Sequence, residues 1–193
     1  MTTPTIPQSK KDQILFIYSI WSAQSTFVQR DREILSKHYT VNSISYSPHD
    51  FLFPFKICKH VYRKKICFTW FSGIHAFWCL IFCKLFSVPL YIVAGGYDAA
   101  HLPEIGYGIK AEKGPWRRTW FAFRHATKVL AVSDSTKKDL EKNVGTNKNV
   151  TVIHNGIPIP PALSCGEKED IILMVTHIFS TNYDVKGIRY YIE

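Results

Sequence analysis

The sequence is poor in acidic residues. It has 15 Asp and Glu against 24 Lys and Arg, which gives a formal net charge of +9. This imbalance predicts a polyanionic neighbour, such as an anionic membrane surface, a phosphorylated substrate or a nucleic acid. The sequence lacks helix-turn-helix and RNA-recognition signatures, so we do not expect a nucleic-acid partner.

The sequence also lacks a long apolar segment. The opening residues, MTTPTIPQSKKDQ, do not contain the apolar core of a secretory signal. The most apolar stretch, residues 71–86, is shorter than the ~20 residues that span a bilayer, and it contains His75 and Lys84. We therefore expect a cytoplasmic protein, either free or held peripherally at the inner face of the membrane.

Cysteines are few, and their spacing does not match a disulfide framework. Cys79 and Cys83 share one helix face, but no second pair follows at metal-ligand spacing. We predict reduced thiols and no metal site. The five cysteines are Cys58, Cys67, Cys79, Cys83 and Cys165.

A glycine-rich phosphate loop is missing after the first predicted strand. The connection over residues 18–26 reads YSIWSAQST, without the Gly-x-Gly-x-x-Gly of a dinucleotide-binding domain. This argues against an NAD-dependent dehydrogenase. Ser22 and Gln24 remain as polar candidates for ligand contact, and Trp21 either stacks on a sugar ring or packs against the protein.

The rest of the chain alternates between strand and helix patterns. This alternation predicts an α/β domain with a doubly wound parallel sheet. In the first helix, after Ser25 or Thr26, we expect Phe27, Ile34, Leu35 and His38 on one side, and the structure of residues 51–65 stays open. The predicted strands are residues 14–20, 40–46, 66–70, 90–94, 129–132, 150–154 and 171–175, and the predicted helices are residues 73–86, 115–127 and 188–193.

The segment over residues 128–156, KVLAVSDSTKKDLEKNVGTNKNVTVIHNG, has the pattern of a βαβ unit. Ligands of open parallel sheets bind outside the carboxyl ends of the strands. Small polar residues stand at those two ends. We therefore predict a cleft that includes Ser133, Asn155 and Gly156.

Gly95, Gly96, Tyr97 and Asp98 follow another predicted strand. Two glycines permit a sharp turn and allow a ligand to approach the backbone closely. Asp98 could then accept hydrogen bonds from sugar hydroxyls, and His101 adds a further polar group. The alternative is a plain turn in which Asp98 caps the next segment.

Several of these stretches together resemble family 4 glycosyltransferases of the GT-B fold. The segment AVSDSTKKDLEK…VTVIHNGIPI, followed by IILMVTHI…VKGIRYYIE, is similar to the junction between the two domains of that family. The stretches TFVQRDREILSKHYTV and VAGGYDAAHLPEIGYG are similar to its acceptor domain. The resemblance covers nearly the whole chain from Ile14 onward.

The resemblance implies a Rossmann-like acceptor domain over residues 14–160, after a leader at 1–13. A linker at 161–170 and the truncated beginning of a donor-binding domain at 171–193 would follow. It further implies a hexosyltransferase-type enzyme that moves a sugar from a nucleotide-sugar donor to a glycan or lipid-linked acceptor, without a metal or other cofactor. The implied acceptor-binding residues are Ser22, Gln24, Gly95, Gly96, Tyr97, Asp98 and His101, while Lys186 and Gly187 would contact the donor phosphate.

Some features depart from the family pattern. His177 stands where an arginine is frequent, Thr176 replaces a usual glycine, and the glutamate pair and basic residues that contact the donor are missing. We therefore expect little or no transfer by this chain alone. The alternative is a non-catalytic module that binds a glycan or a membrane.

Two segments combine aromatic and basic residues, over 56–65 and 116–128. In the second, arginines alternate with tryptophan and phenylalanine. Such a mixture is typical of membrane interfaces and of single-stranded nucleic-acid sites. A helix that packs its aromatic side chains inward and leaves its arginines in solvent would show the same pattern.

Overall fold

A computed structural model describes residues 11–145, 148–157, 159, 170–175, 183–184 and 186–192. Most of the predicted leader and linker, together with Cys165, Thr176 and His177, lies outside the described residues.

Within the described residues, the core element is a parallel sheet of six strands in the order β2-β1-β3-β4-β5-β6. Every pairing in it is parallel. Two of its central strands, β1 and β4, are almost continuously apolar, as strands covered on both faces require. The predicted doubly wound parallel α/β fold is confirmed. The strands are β1 (Gln13–Ser19), β2 (Thr40–Tyr46), β3 (Ile66–Trp70), β4 (Leu90–Ala94), β5 (Lys128–Ala131) and β6 (Val150–Val152).

Helices connect the strands at the places where the sequence pattern changes period. Ser133 caps α5 by accepting a hydrogen bond from the Thr136 amide, and Gly145 ends that helix in a left-handed conformation. The region left open in the sequence contains a helix, α2. The helices are α1 (Thr26–His38), α2 (Phe53–Val61), α3 (Ile74–Leu85), α4 (Lys113–His125), α5 (Asp134–Val144) and α6 (Ile188–Ile192), with short 3₁₀ turns at Ile20–Ser22, Pro103–Ile105 and Ile109–Ala111.

The handedness of the connections distributes these helices over the two faces of the sheet. The step from β1 to β2 runs one way along the sheet, and the later steps run the other way. Since parallel crossovers are right-handed, α1 lies on one face and α2 to α5 lie on the opposite face. Two hydrophobic clusters match this division, one built on α2 to α5 and one that includes Val28 and Leu35 of α1.

The predicted inward side of α1 was partly wrong. Leu35 packs inward as expected, but Phe27, Ile34 and His38 are exposed and Val28 is buried instead. The inward side of α1 carries Val28, Asp31 and Leu35. A polar Asp31 is accommodated there because its carboxylate accepts a hydrogen bond of 3.0 Å from the Trp70 indole. Because the central residue of this inward side is polar, the spacing of apolar residues in the sequence does not reveal which side of α1 faces the core.

The predicted strand at residues 171–175 was also wrong. These residues belong to no strand, and Ile171, Ile172, Leu173 and Val175 are exposed. A parallel strand needs a neighbour to satisfy its backbone groups, and the sheet of the described residues ends at β6.

Three of the cysteines lie together in the core. Cys67 on β3 and Cys79 and Cys83 on α3 are free thiols that are at most 1% exposed. A hydrogen bond with Cys79 and burial raise the pKa of Cys67, a hydrogen bond with Cys67 and burial raise the pKa of Cys83, and burial raises the pKa of Cys79. The three thiols therefore remain protonated and act as small apolar side chains.

Truncation of a central strand residue tests this core. Ile92 on β4 is fully buried, so we expect Ile92→Ala to lower the free energy of unfolding by about 2–5 kcal/mol. Urea unfolding followed by circular dichroism measures this loss. Leu85→Ala is the matched control, because Leu85 is 66% exposed and its truncation should cost less than about 0.5 kcal/mol. Equal losses in the two variants would contradict the assignment of the core.

Candidate functional site

A cavity of about 510 Å³ lies at the carboxyl ends of strands β1 to β4. The connections from the adjacent strands β1 and β3 leave to opposite faces of the sheet, so the cavity lies at the topological switch point between them. Aromatic and aliphatic side chains form most of its wall. The lining residues are Ser19, Trp21, Ser22, Tyr46, Pro48, Phe71, Ser72, Gly73, Ile74, His75, Tyr97, Asp98 and Ile109.

Asp98 ties two of the loops around the cavity together. Its carboxylate accepts hydrogen bonds from the backbone amides of Gly95 and Gly96, at 3.0 and 3.1 Å, and of Ser72, at 2.8 Å. The side chain is 3% exposed. Burial raises the pKa of Asp98 to about 6, although the three amide donors act in the opposite direction. Asp98 therefore fixes the β3–α3 loop to the turn after β4. Its three amide donors precede it in the chain, so these bonds do not cap the next segment, and contact of Asp98 with a sugar stays a prediction.

The two glycines of this turn have different roles. A Cβ at Gly95 would lie 2.1 Å from a ring carbon of Phe71, so the Phe71 ring occupies the space above Gly95. Gly96 has a φ of +117° and open space around its Cα. Only at Gly96 does the missing side chain leave room for a ligand.

His75 is the residue of this cavity that sequence reasoning missed. Its Nε2 lies 3.0 Å from the carbonyl oxygens of both Trp70 and Phe71, and its ring stacks on Tyr46 at 5.5 Å. Because both partners are acceptors, Nε2 carries the hydrogen and Nδ1 carries the lone pair. Burial lowers the pKa of His75, so the imidazole is neutral near pH 7.

The β3–α3 loop, which precedes His75, is also anchored to α4. The Ser72 hydroxyl donates to the Thr119 carbonyl at 3.3 Å, and the Thr119 hydroxyl donates to the Ser72 carbonyl at 3.4 Å. Thr119 is fully buried. Burial raises the pKa of the Tyr46 hydroxyl, and the positive charge of Arg118, the neighbour of Thr119, partly offsets this rise. A cation therefore stands near the apolar cavity.

The structure brings some of the predicted acceptor residues to this cavity and places others elsewhere. Ser22, Tyr97 and Asp98 line it, and the Ser22 hydroxyl donates to the Ser19 carbonyl at 2.9 Å. Gln24 is exposed and does not line it. His101 lines a separate depression with Lys110, Gly114, Trp116 and Arg117.

The predicted cleft residues at the ends of β5 and β6 do not reach the cavity. Ser133 has the capping role described above. Asn155 and Gly156 are exposed, and Gly156 borders a different depression against α1. Their role in a cleft stays a prediction.

Lys186 and Gly187 lie in the turn before α6. Gly187 has a φ of +65° and donates its amide to the Asp184 carbonyl at 3.0 Å. Lys186 is exposed. Contact with a donor phosphate stays a prediction for both residues.

The aromatic residues of the basic segment 116–128 pack against the protein. Trp120 and Phe121 contact the main hydrophobic cluster. The Trp120 indole donates to the Val144 carbonyl at 3.2 Å, and the Arg124 guanidinium lies 5.3 Å from the Trp120 ring centre. This is the inward packing that the sequence analysis gave as the alternative to an interface.

No set of three or more His, Cys, Asp and Glu side chains among the described residues is placed to hold a metal ion.

Titration of Asp98 gives a test of its burial. In the folded chain its pKa is about 6, against an ordinary value of 3.8. Between about pH 4 and pH 6 the folded state holds a proton that the unfolded state has lost, so the free energy of unfolding falls as pH rises, by up to about 3 kcal/mol. Asp98→Asn should lack this contribution. Urea unfolding across that range should show the difference between wild type and variant shrinking towards high pH.

The comparison removes the other titrating groups. Asp31 and Asp139 also have pKa values raised by burial, but both are present in wild type and variant and cancel. A difference that stays constant with pH would show that Asp98 is ionised at the same pH in the folded and unfolded states.

Two solved structures are similar to this chain in fold. MnaA of S. aureus, in a structure with UDP, has 10% identity and a TM-score of 0.51, with 73% of this chain and 44% of that chain covered. A UDP-N-acetylglucosamine 2-epimerase has 9% identity and a TM-score of 0.51, with 76% of this chain and 49% of that chain covered. This chain therefore spans less than half the length of either protein. At such identity the similarity shows the fold alone.

The sequence was also compared with protein families and with curated proteins. No curated protein matches it significantly. The family Glycosyltransferase Family 4 matches residues 29–159, which is well over half of the 193 residues. That stretch runs from α1 through β6 and includes most of the cavity wall, and the Rossmann-like sheet is the one expected for the N-terminal domain of a GT-B protein. On this evidence the chain belongs to glycosyltransferase family 4.

Proposed function

We propose that this chain forms the acceptor-binding part of a glycosyltransferase that moves a sugar from a nucleotide-sugar donor to a glycan or lipid-linked acceptor. The single observation that carries the proposal is the cavity at the switch point of the sheet, in a chain of this family. Ligands of open parallel sheets bind at this position. The acceptor hydroxyl would enter the cavity from the carboxyl edge of the sheet.

The wall of the cavity favours an acceptor with an apolar portion. Tyr46, Phe71 and Ile74 offer flat or aliphatic surface, and Trp21 stands at the rim with 77% of its surface exposed. Sugar rings and lipid chains both pack on such surface, because aromatic side chains supply large apolar area. A lipid-linked or aryl-linked sugar fits this lining better than a highly charged acceptor does.

His75 is our candidate for the residue that orients the acceptor hydroxyl. Its Nε2–H is held by two carbonyl groups, and no protein partner of Nδ1 occurs among the described residues. A neutral Nδ1 can accept a hydrogen bond from a hydroxyl group. The Asp98 carboxylate, by contrast, is already occupied by three amides, so we assign it the role of holding the loops in place.

The donor side of the proposal rests on family membership and on the fold relatives. One of those relatives was solved with UDP and another is named for a UDP-sugar, which supports a nucleotide-sugar partner. Lys186, in the exposed turn before α6, is the candidate cation for the donor diphosphate. Such a site would stabilise the leaving diphosphate by positive charge.

Acceptor binding is tested by titrating alkyl glycosides into the chain and following backbone chemical shifts. We expect shifts around the cavity. The variant His75→Phe keeps an aromatic ring against Tyr46 but lacks the lone pair, so affinity should fall roughly 3- to 10-fold, the worth of one net hydrogen bond. In wild type, binding should also weaken below the lowered pKa of His75, because a protonated Nδ1 cannot accept; the variant should lose that dependence.

The matched control is Ile109→Val, which trims the same wall without removing a polar group. Its affinity should stay within about twofold of wild type. Failure of every glycoside to shift the cavity resonances, or competition by nucleotide sugars for the same resonances, would rule out the acceptor assignment.

The catalytic capacity of the isolated chain is tested separately. Among the described residues, only the exposed turn with Lys186 and the five-residue helix α6 belong to the proposed donor site. We therefore expect little or no sugar transfer or nucleotide-sugar hydrolysis by these 193 residues. Chromatography of a nucleotide-sugar panel incubated with alkyl glycosides measures both reactions, and robust turnover would contradict this expectation.

A further inference from the structure

Three large apolar side chains are exposed side by side at the start of α2. Phe51 is 86% exposed, Leu52 is 63% exposed and Phe55 is 73% exposed. They follow the end of β2 by a few residues, so they stand at the carboxyl edge of the sheet. Soluble proteins rarely gather apolar side chains in this way without a binding role.

These side chains are exposed because α2 has one side that faces the core and an opposite side that faces solvent. Phe53, Ile57 and Val61 face the core and are at most 1% exposed. A helix repeats its faces every three to four residues, so the opposite side must point outward. We call this outward side the α2 face; its residues are Phe51, Leu52, Phe55, Lys56, Lys59, Tyr62 and Arg63, all of them exposed.

The α2 face is also positively charged. Asp50 is the only acidic residue between positions 50 and 65, and it pairs with Lys56 at 2.7 Å. Lys59 and Arg63 have no ion pair among the described residues, and the Arg63 guanidinium lies 5.1 Å from the Tyr62 ring centre. The face therefore presents aromatic and aliphatic groups together with unneutralised cations.

The α2 face is continuous with the rim of the cavity. Pro48, a few residues before Phe51, lines the cavity, as does the exposed Trp21 at the end of the neighbouring strand β1. The registers of β1 and β2 place Ser19 opposite Tyr46, so both strands end at the same level. The apolar tip and the mouth of the cavity thus share one edge of the molecule.

We propose that the α2 face lies on an anionic phospholipid surface. Phe51, Leu52 and Phe55 enter the boundary between headgroups and acyl chains, while Lys59 and Arg63 meet lipid phosphates. Attachment occurs at the surface of the bilayer, since no helix among the described residues is long and apolar enough to cross it. The proposal does not depend on the function proposed above.

The positive charge of the α2 face favours an anionic lipid surface over a second copy of the chain as its partner. A symmetric dimer through the α2 face would bring Lys59 and Arg63 of the two copies close to each other, and like charges across an interface are unfavourable. A bilayer with acidic lipids supplies the opposite charge and an apolar layer together. The observations therefore favour the membrane over self-association.

Co-sedimentation with vesicles tests the proposal. The chain is mixed with vesicles of phosphatidylcholine, with or without phosphatidylglycerol, at low and high salt. We expect strong binding only with phosphatidylglycerol, and weaker binding at high salt because the charges are screened. Replacing Phe51, Leu52 and Phe55 by serine should weaken binding about tenfold or more.

Two further variants separate the contributions. Ile34→Ser is the matched control, since Ile34 is 47% exposed on α1, on the opposite face of the sheet, and it should bind as wild type does. Lys59→Glu with Arg63→Glu should remove the preference for phosphatidylglycerol and most of the salt dependence. Both charge positions are exposed, so circular dichroism should show an unchanged fold.

Several outcomes would overturn the proposal. The first is undiminished binding by the triple serine variant or by the charge-reversed variant. The second is absence of wild-type binding to vesicles of either composition. The third is a dimer in sedimentation velocity that the triple serine variant dissolves, which would assign the face to a second copy.

Discussion

The right-handed crossover between parallel strands is the constraint on which the rest of the structure depends. It sends α1 to one face of the sheet and α2 to α5 to the other. The connection after β1 runs towards β2, and the connection after β3 runs the opposite way across the sheet, towards β4. The loops that leave these two adjacent strands therefore separate and leave room between them. The cavity lies at this point, so its position follows from the order of the strands.

The two polar side chains at the cavity act on its geometry in different ways. Asp98 uses its carboxylate to hold backbone amides of two loops, and the cost of burying that charge appears as a raised pKa. His75 is fixed by the carbonyl groups of Trp70 and Phe71, and its other ring nitrogen has no protein partner among the described residues. An ordered wall and one oriented acceptor group together make a site suited to a hydroxyl-bearing molecule.

Much of the fold could be predicted from local patterns, and the exceptions have physical causes. The bounds of β2, β3 and β4 agree with their alternating or continuous apolar runs. α2 could not be predicted because residues 51–57 are apolar nearly all round, which hides helical periodicity. The strand expected at residues 171–175 is absent since an apolar run alone does not supply the neighbouring strand that pairs with it.

The sequence by itself determined the alternation of strands and helices, the parallel arrangement of the strands and the family. These properties depend on short-range patterns and on the order of the motifs. Only the tertiary structure decided which polar residues meet. It turned Asp98 inward onto backbone amides, brought His75 to the cavity and placed Ser133, Asn155 and His101 outside it. These outcomes depend on loop paths and side-chain packing between distant segments, which no local pattern encodes.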